Sequence, residues 1–399
     1  MRQTGLGPAL IALALTAFLA ACGAAPKLAS VLRSPLPVAS PSSSPSPSSG
    51  APVSAAPAKQ LRAAWPGAFF SVRLPDDKSA YALDDALDAT HLVVTAWPAK
   101  RADKASIDVL DTETGKLRKV ATMPEAGMLT RVWVSDRYAV LVTLPSGAES
   151  QRIWAVSLDD GHVTEVKGVG DAMGSPAAIL GDTLYYASAV RGGVFRVGLP
   201  GGGTPEPVEG SQGLFLVSWP WAADQSPANV SPSDVSSDVM TKYLAEVLGN
   251  PLSDLSIDAK VNQTRLINLE TGEVRPVVPA PGVTHLRCGP EWCRGRDAAG
   301  RDVVQRPNGT ALALLPGRPV GGDGPIDRFF IVLRPASTAQ EWDTLVYDAR
   351  TGTTGLGPTS QVIDAGGAPT SGLARAPYLI SCSDGCDAPL SGVNLRAVR

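Results

Sequence analysis

Ile107-Asp-Val-Leu-Asp-Thr-Glu-Thr-Gly-Lys-Leu-Arg-Lys-Val120 is the stretch that decides the fold. Two alternating runs flank an Asp-Thr-Glu-Thr-Gly turn, which predicts a β-hairpin closing on a left-handed glycine. Residues 266–278 (Leu-Ile-Asn-Leu-Glu-Thr-Gly-Glu-Val-Arg-Pro-Val-Val) and 345–356 (Leu-Val-Tyr-Asp-Ala-Arg-Thr-Gly-Thr-Thr-Gly-Leu) repeat the pattern, with looser copies at 153–166, 194–208 and 303–315. The turn glycines Gly115, Gly161, Gly202, Gly272, Gly309 and Gly352 are 46, 41, 70, 37 and 43 residues apart. Apart from the third interval, this is the period of a β-propeller blade, in which the repeated hairpin supplies the third and fourth strands of a four-stranded sheet.

Working outward, each hairpin is preceded by two short apolar runs that serve as the first and second strands. They are 80–84 and 92–97, 131–134 and 138–144, 177–180 and 184–187, then 214–217 alone for the fourth blade. The fifth blade takes 283–288 and 292–294, and the sixth takes 329–333 with a poorly defined first strand. After it, 378–381 and 393–398 read as strands without a partner, and Phe69-Phe-Ser-Val-Arg-Leu74 is an orphan strand at the other end. Pairing 69–74 beside 393–398 would complete a seventh blade and hide both sheet edges. The expectation is an all-β, seven-bladed propeller closed in this way, with six blades as the alternative.

The long interval holds an insertion over residues 222–263, between the second and third strands of the fourth blade. Within it 237–248 predicts a helix: Ser237 caps, Val239, Met240, Tyr243, Leu244 and Val247 form an apolar stripe, and Gly249 and Pro251 stop it. The insertion is acidic, with Asp224, Asp234, Asp238, Glu246, Asp254 and Asp258 against Lys242 and Lys260. Trp219 and Trp221 stand just before it. One reading makes Trp219, Trp221, Tyr243, Asp224, Asp234 and Asp238 a recognition surface. The other makes the helix a cap with the tryptophans packed beneath it, as aromatics near an amphipathic helix commonly are.

The N-terminus reads as an address. Arg2 precedes an apolar run from Ala9 to Ala21, too short to span a bilayer and shaped like the core of a signal peptide. Leu19-Ala-Ala-Cys22 resembles a bacterial lipobox at all four positions. The resemblance implies that residues 1–21 are removed and that Cys22 carries the lipid. Its partner is then membrane lipid, on the extracytoplasmic face of the cell membrane, and acyl chains contribute about 0.8 kcal/mol per buried methylene. Residues 22–59 are dominated by Ser, Pro and Ala and read as a disordered tether, leaving 60–399 as the propeller domain.

Four further cysteines form two close pairs, Cys288 with Cys293 and Cys382 with Cys386. In an exported chain these read as two disulfides, each stapling a turn, and a four-thiolate zinc site is the alternative. The three histidines, His91, His162 and His285, lie in separate blades without ligand spacing. No nucleophile elbow, phosphate loop or His-Glu-x-x-His is present, and Asp84, Asp85 and Asp88 lack the spacing of a calcium loop. The formal net charge of -3 gives no basis for nucleic-acid binding. Ser157-Leu-Asp-Asp-Gly161 resembles only the beginning of an Asp-box turn. Taken with the lipobox and the blade turns, residues 65–399 resemble bacterial extracytoplasmic lipoproteins with TolB-like or related propeller repeats. That resemblance implies architecture rather than activity. The function expected is a cofactor-free binding or scaffolding module for a protein, peptide or envelope component. A propeller hydrolase using paired carboxylates of the central channel on envelope glycans or peptides is the alternative.

Overall fold

The structure, a computed structural model, describes residues 56–74, 80–97, 104–145, 151–169, 177–188, 193–200, 202–225, 262–319, 328–336, 341–361 and 390–398. Cys22, the expected strand 378–381, the expected helix 237–248, and the pair Cys382 and Cys386 lie outside the described residues.

The described residues begin with β1 (Lys59–Gln60), a single helical turn α1 (Leu61–Ala64) and β2 (Phe69–Val72). The first blade is β3 (Ala80–Ala86), β4 (His91–Trp97), β5 (Ser106–Asp111) and β6 (Leu117–Thr122). The second is β7 (Gly127–Val134), β8 (Tyr138–Pro145), β9 (Arg152–Ser157) and β10 (Val163–Glu165). The third is β11 (Ala177–Leu180), β12 (Thr183–Ala187), β13 (Val194–Gly198) and β14 (Glu206–Pro207). The fourth comprises β15 (Phe215–Ser218), β16 (Trp221–Ala223), β17 (Arg265–Asn268) and β18 (Val274–Pro276). The fifth comprises β19 (Thr284–Cys288), β20 (Cys293–Arg296), β21 (Asp302–Gln305) and β22 (Ala313–Leu314). The sixth comprises β23 (Arg318–Pro319), β24 (Phe329–Pro335), β25 (Glu341–Asp348) and β26 (Thr353–Gln361).

Each set is an antiparallel sheet whose strands lie in chain order, so the protein is an all-β propeller in which the described residues form six four-stranded blades. In addition, β2 pairs antiparallel with β27 (Leu390–Val393), Phe69 opposite Val393. The partner of the N-terminal strand is thus 390–393 rather than the expected 393–398, where Leu395–Ala397 instead forms a 3-10 turn. Asn394 turns the backbone out of the ladder by accepting the Arg396 N–H on its own side chain. The missing first strand of the sixth blade is β23, two residues long and ending in proline, which leaves little pattern to read. Lys59, expected at the end of the tether, already belongs to β1.

The period-two alternation of the strands sends successive side chains to opposite neighbours. Val93 faces the second blade with Leu141 and Val156, whereas Val94 packs beside Phe70 and Val72 of β2. Val140 and Val142 meet Leu184 and Tyr186 of the third blade. Val194 meets Leu216, Leu266 meets Leu286 and Val303, and Val304 meets Val332 and Leu345. Phe329 and Val346 pack against Trp65 and Val393. Each fully buried Val, Leu or Ile contributes about 1.5–3 kcal/mol, so the inter-sheet seams hold the ring together.

All six turn glycines have positive φ, from 58° at Gly202 to 83° at Gly309. At three of them a side chain would also strike the neighbouring blade. A Cβ on Gly161 would overlap the Val120 carbonyl, and on Gly202 it would lie 2.9 Å from that of Glu165. On Gly309 it would lie 3.1 Å from the Val278 carbonyl. Glycine therefore satisfies both the turn and the packing of one blade on the outer strand of the preceding one.

Candidate functional site

A recurring hydrogen bond fixes which loops share a face. The N–H groups of Thr112, Leu158, Leu199, Leu269 and Ala349, in the third-to-fourth-strand turns, donate to Thr90, Arg137, Asp182, Pro220 and Arg328. These acceptors sit in the first-to-second-strand turns. Both kinds of turn therefore occupy one end of the blades, and the other connections occupy the opposite end.

The insertion leaves from that opposite end, after Ala223 closes β16 and before Arg265 opens β17. Asp224 draws its two limbs together, accepting the Thr264 N–H at 3.1 Å, the Arg265 N–H at 3.4 Å and the Thr264 hydroxyl. The returning limb is then sewn to the fifth blade. The Gln263 N–H donates to the Leu286 carbonyl at 3.0 Å, and Asn262 Oδ1 accepts the Leu286 N–H at 2.9 Å. Gln263 Oε1 accepts the Cys288 N–H at 2.9 Å, and the Gln263 side chain is essentially buried. These bonds fall on the edge of β19 that β20 does not use. The corresponding first strands of the first four blades lie side by side, β3 against β7, β7 against β11 and β11 against β15, so this is the inner edge of a blade. Two side-chain amides and the Gln263 backbone N–H take the place of a neighbouring strand. Arg287, fully buried, lies within electrostatic reach of Asp224, whose charge offsets part of the lowering that burial imposes on its pKa.

The tryptophans lie elsewhere. Trp219 occupies the turn between β15 and β16, where it stacks on Tyr185 with 3.7 Å between ring centres and donates its indole N–H to Glu270 at 3.1 Å. Trp221 is buried between the fourth and fifth blades with the Arg275 guanidinium 4.0 Å from its ring centre. Trp219 and Trp221 thus stand at one end of β16 and Asp224 at the other. Tyr243, Asp234 and Asp238 lie outside the described residues. Asn262 and Gln263, which secure the insertion, were missed from the sequence because two amides beside a strand carry no periodic signal.

Cys288 and Cys293 form a disulfide across the turn between β19 and β20. It is the one disulfide among the described residues. The second expected bridge, between Cys382 and Cys386, falls outside them. The acidic trio of the first blade is divided among three tasks. Asp84 accepts the Thr95 hydroxyl at 2.5 Å, and Asp88 holds the Thr90 and His91 N–H groups at 2.7 and 2.8 Å. Asp85 accepts the Ala86 N–H at 2.7 Å, and burial pushes its pKa up to about 7. Among the described residues no group of three His, Cys, Asp or Glu side chains could hold a metal ion. The 157–161 stretch is an ordinary blade turn, in which Gly161 N–H donates to the Ser157 carbonyl as Gly115 N–H does to Asp111.

No family model matches the chain, and no curated protein does. Among solved structures the chain is similar to TolB from Acinetobacter baumannii, at 10% identity and a TM-score of 0.37, over 70% of this chain and 64% of that one. The chain thus spans less than two thirds of that protein's length. It is also similar to an oligogalacturonate lyase from Vibrio parahaemolyticus, at 10% identity and a TM-score of 0.43, covering 82% of this chain and 90% of the other. A third is the β-propeller domain of the Trilobed protease from Pyrococcus furiosus, at 10% identity and a TM-score of 0.39, covering 72% and 84%. At these values the sheets themselves carry the assignment: the chain is a β-propeller, with TolB-like propellers among its structural neighbours.

Proposed function

We propose that the protein is a lipid-anchored, extracytoplasmic β-propeller that acts as a binding or scaffolding module, presenting the 222–263 insertion to a protein, peptide or envelope polymer. The observation that carries this reading is the double fastening of the insertion, by Asp224 within the fourth blade and by Asn262 and Gln263 to the inner edge of the fifth. Segments that merely connect strands are short, whereas a long one fixed at its base to a rigid scaffold is a common site of recognition. Replacing 226–261 with a short Gly-Ser linker should abolish partner capture in a crosslinking pull-down while leaving the unfolding temperature within a few degrees. An unchanged capture profile would remove the insertion from the reading.

Anchoring rests on the lipobox at 19–22. Cys22→Ser is expected to release the protein from the membrane fraction, and retention there would refute lipidation. A seventh blade is supported by β2, which stands to the first blade as the outer strands of the first and second blades stand to the blades that follow them. A Cβ on Gly115 would lie 3.7 Å from Val72 Cβ and 3.8 Å from the Arg73 carbonyl, just as those on Gly161 and Gly202 would meet the outer strands of the first and second blades. A crystal structure with additional strands from 362–389 beside β27 would establish the count, and one with none there would leave six. The same structure would test the bridge between Cys382 and Cys386, and two free thiols at those positions would remove it.

A further inference from the structure

Arginines gather where the fifth blade faces the sixth. Leu286 and Cys288 of β19, Cys293 of β20 and Val303 of β21 pack toward the fourth blade. The residues that alternate with them, Arg287, Arg294, Arg296 and Asp302, therefore share the other face with Val304, which meets the sixth blade. Across the seam, Phe330 and Val332 of β24 and Leu345 and Tyr347 of β25 pack toward the fifth blade. Arg334 and Asp343 alternate in step with them and form an ion pair at 2.8 Å. Arg318 opens β23, exposed and within electrostatic reach of Asp302.

Arg287 and Arg294 are directly opposed partners in the β19–β20 ladder, 0% and 5% exposed. Like charges placed opposite each other destabilise a sheet, the more so out of water. Nearer the end of the blades from which the insertion leaves, the Arg296 guanidinium lies 3.7 Å from Asp302 Oδ1, with 39% of its side chain exposed. Burial lifts the Asp302 pKa above the ordinary carboxylate value, against the pull of Arg296, Arg294 and Arg318. On the adjoining turn Asp297 and Arg301 pair with each other at 2.7 Å. Among the described residues, five guanidiniums thus stand with three carboxylates, Asp302, Asp343 and, within reach of Arg287, Asp224. Arg287, Arg294, Arg296, Arg318 and Asp343 have further interactions as well, so what marks the seam is the convergence of guanidiniums and not any idle donor.

We propose that this seam is a binding site for an oxyanion, the carboxylate or phosphate group of a ligand, with Arg318 and Arg296 at its mouth and Arg294 and Arg287 at its depth. A guanidinium presents a planar fork of N–H donors that matches the oxygens of either group, which an ammonium does not. The exposed pair at the mouth attracts the anion through screened charge, and the buried pair acts where screening is weak. Two buried cations opposed in one ladder depart from the local consistency that a fold otherwise keeps, and such departures are expected at functional sites. The site uses none of residues 226–261, so it stands or falls apart from capture by the insertion.

Isothermal titration calorimetry on the whole protein tests this, with inorganic phosphate and malonate as probes at constant ionic strength. Saturable binding of one probe per chain is expected, and the tighter probe tells phosphate from carboxylate. Arg294→Gln and Arg296→Gln should each weaken it about tenfold or more, as for loss of a charged hydrogen bond. Asp302→Asn should tighten it several-fold by removing a competing carboxylate. Arg137→Gln, at the opposite end of the blades, should leave it unchanged. No saturable binding of either probe up to about 10 mM would overturn the site, as would affinities that stay the same in Arg296→Gln and Asp302→Asn. These two variants decide the matter even if Arg294→Gln does not fold.

Discussion

Two sheet edges in this molecule are covered by the chain's own residues, and they are covered in opposite ways. At the outer edge of the sixth blade, β1 adds in parallel to β26, with Lys59 opposite Gly355 and Gln60 opposite Leu356. Both added residues are exposed, and the strand is only two residues long. At the inner edge of the fifth blade no strand is added; Asn262 and Gln263 offer side-chain amides, with Asn262 half-buried and Gln263 fully buried. An outer edge can fall back on water for its hydrogen bonds, whereas the Cys288 N–H is held in the interior by the buried Gln263 side chain. Backbone pairing on the rim thus mainly guides the chain, and the energy there comes from the side chains that follow it, Leu61 and Trp65. The amides at the inner edge are required in themselves.

This contrast orders the expected losses of stability, each measured by equilibrium unfolding in denaturant. Trp65→Ala should cost the most, about 3–5 kcal/mol, because the indole fills the seam against Phe329, with ring centres 6.2 Å apart. Gln263→Ala should follow, near the upper end of about 1–3 kcal/mol, since the Cys288 N–H loses its acceptor inside the protein. Gly355→Ala should cost about 1–2 kcal/mol, since its Cβ would meet the Trp65 ring and come within 2.7 Å of Leu61 Cδ2. Removing residues 56–60 should cost about 1 kcal/mol, since Lys59 and Gln60 are exposed and only Ala58 packs against the core. If the deletion of β1 proved more damaging than Gln263→Ala, the distinction between the two edges would be wrong.

What the sequence disclosed, and what it concealed, follow from the same physics. The hairpin turns were legible because a left-handed residue at a fixed place demands glycine, and three of the six also press on a neighbouring carbonyl. A second regularity lies beside them. Asp111, Asn268 and Asp348 each accept backbone N–H groups two or three residues on, so the polar residue opening the turn is as constrained as the glycine closing it. The position of the insertion, between β16 and β17, followed from the broken period. Its fastening did not, because Asn262 and Gln263 act on β19, a strand that follows them by some 20 residues and belongs to another blade. The tryptophans were drawn to the insertion by closeness in sequence. Three residues of extended chain, Trp221 to Ala223, are enough to carry them to the far end of the blade. The terminal pairing was foreseen in kind and displaced in register, because Asn394 takes the chain out of the sheet sooner than the apolar pattern suggests.

The hydrogen bond from Asn394 to Ala68 brings the two ends of the folded region to one spot. A linker joining them would be short, and the exposed turn at Glu113 and Thr114 offers a place to reopen the chain, so the propeller should tolerate circular permutation there. By the same token, a reporter fused after Arg399 would begin only a few residues from the contact between Asn394 and Ala68.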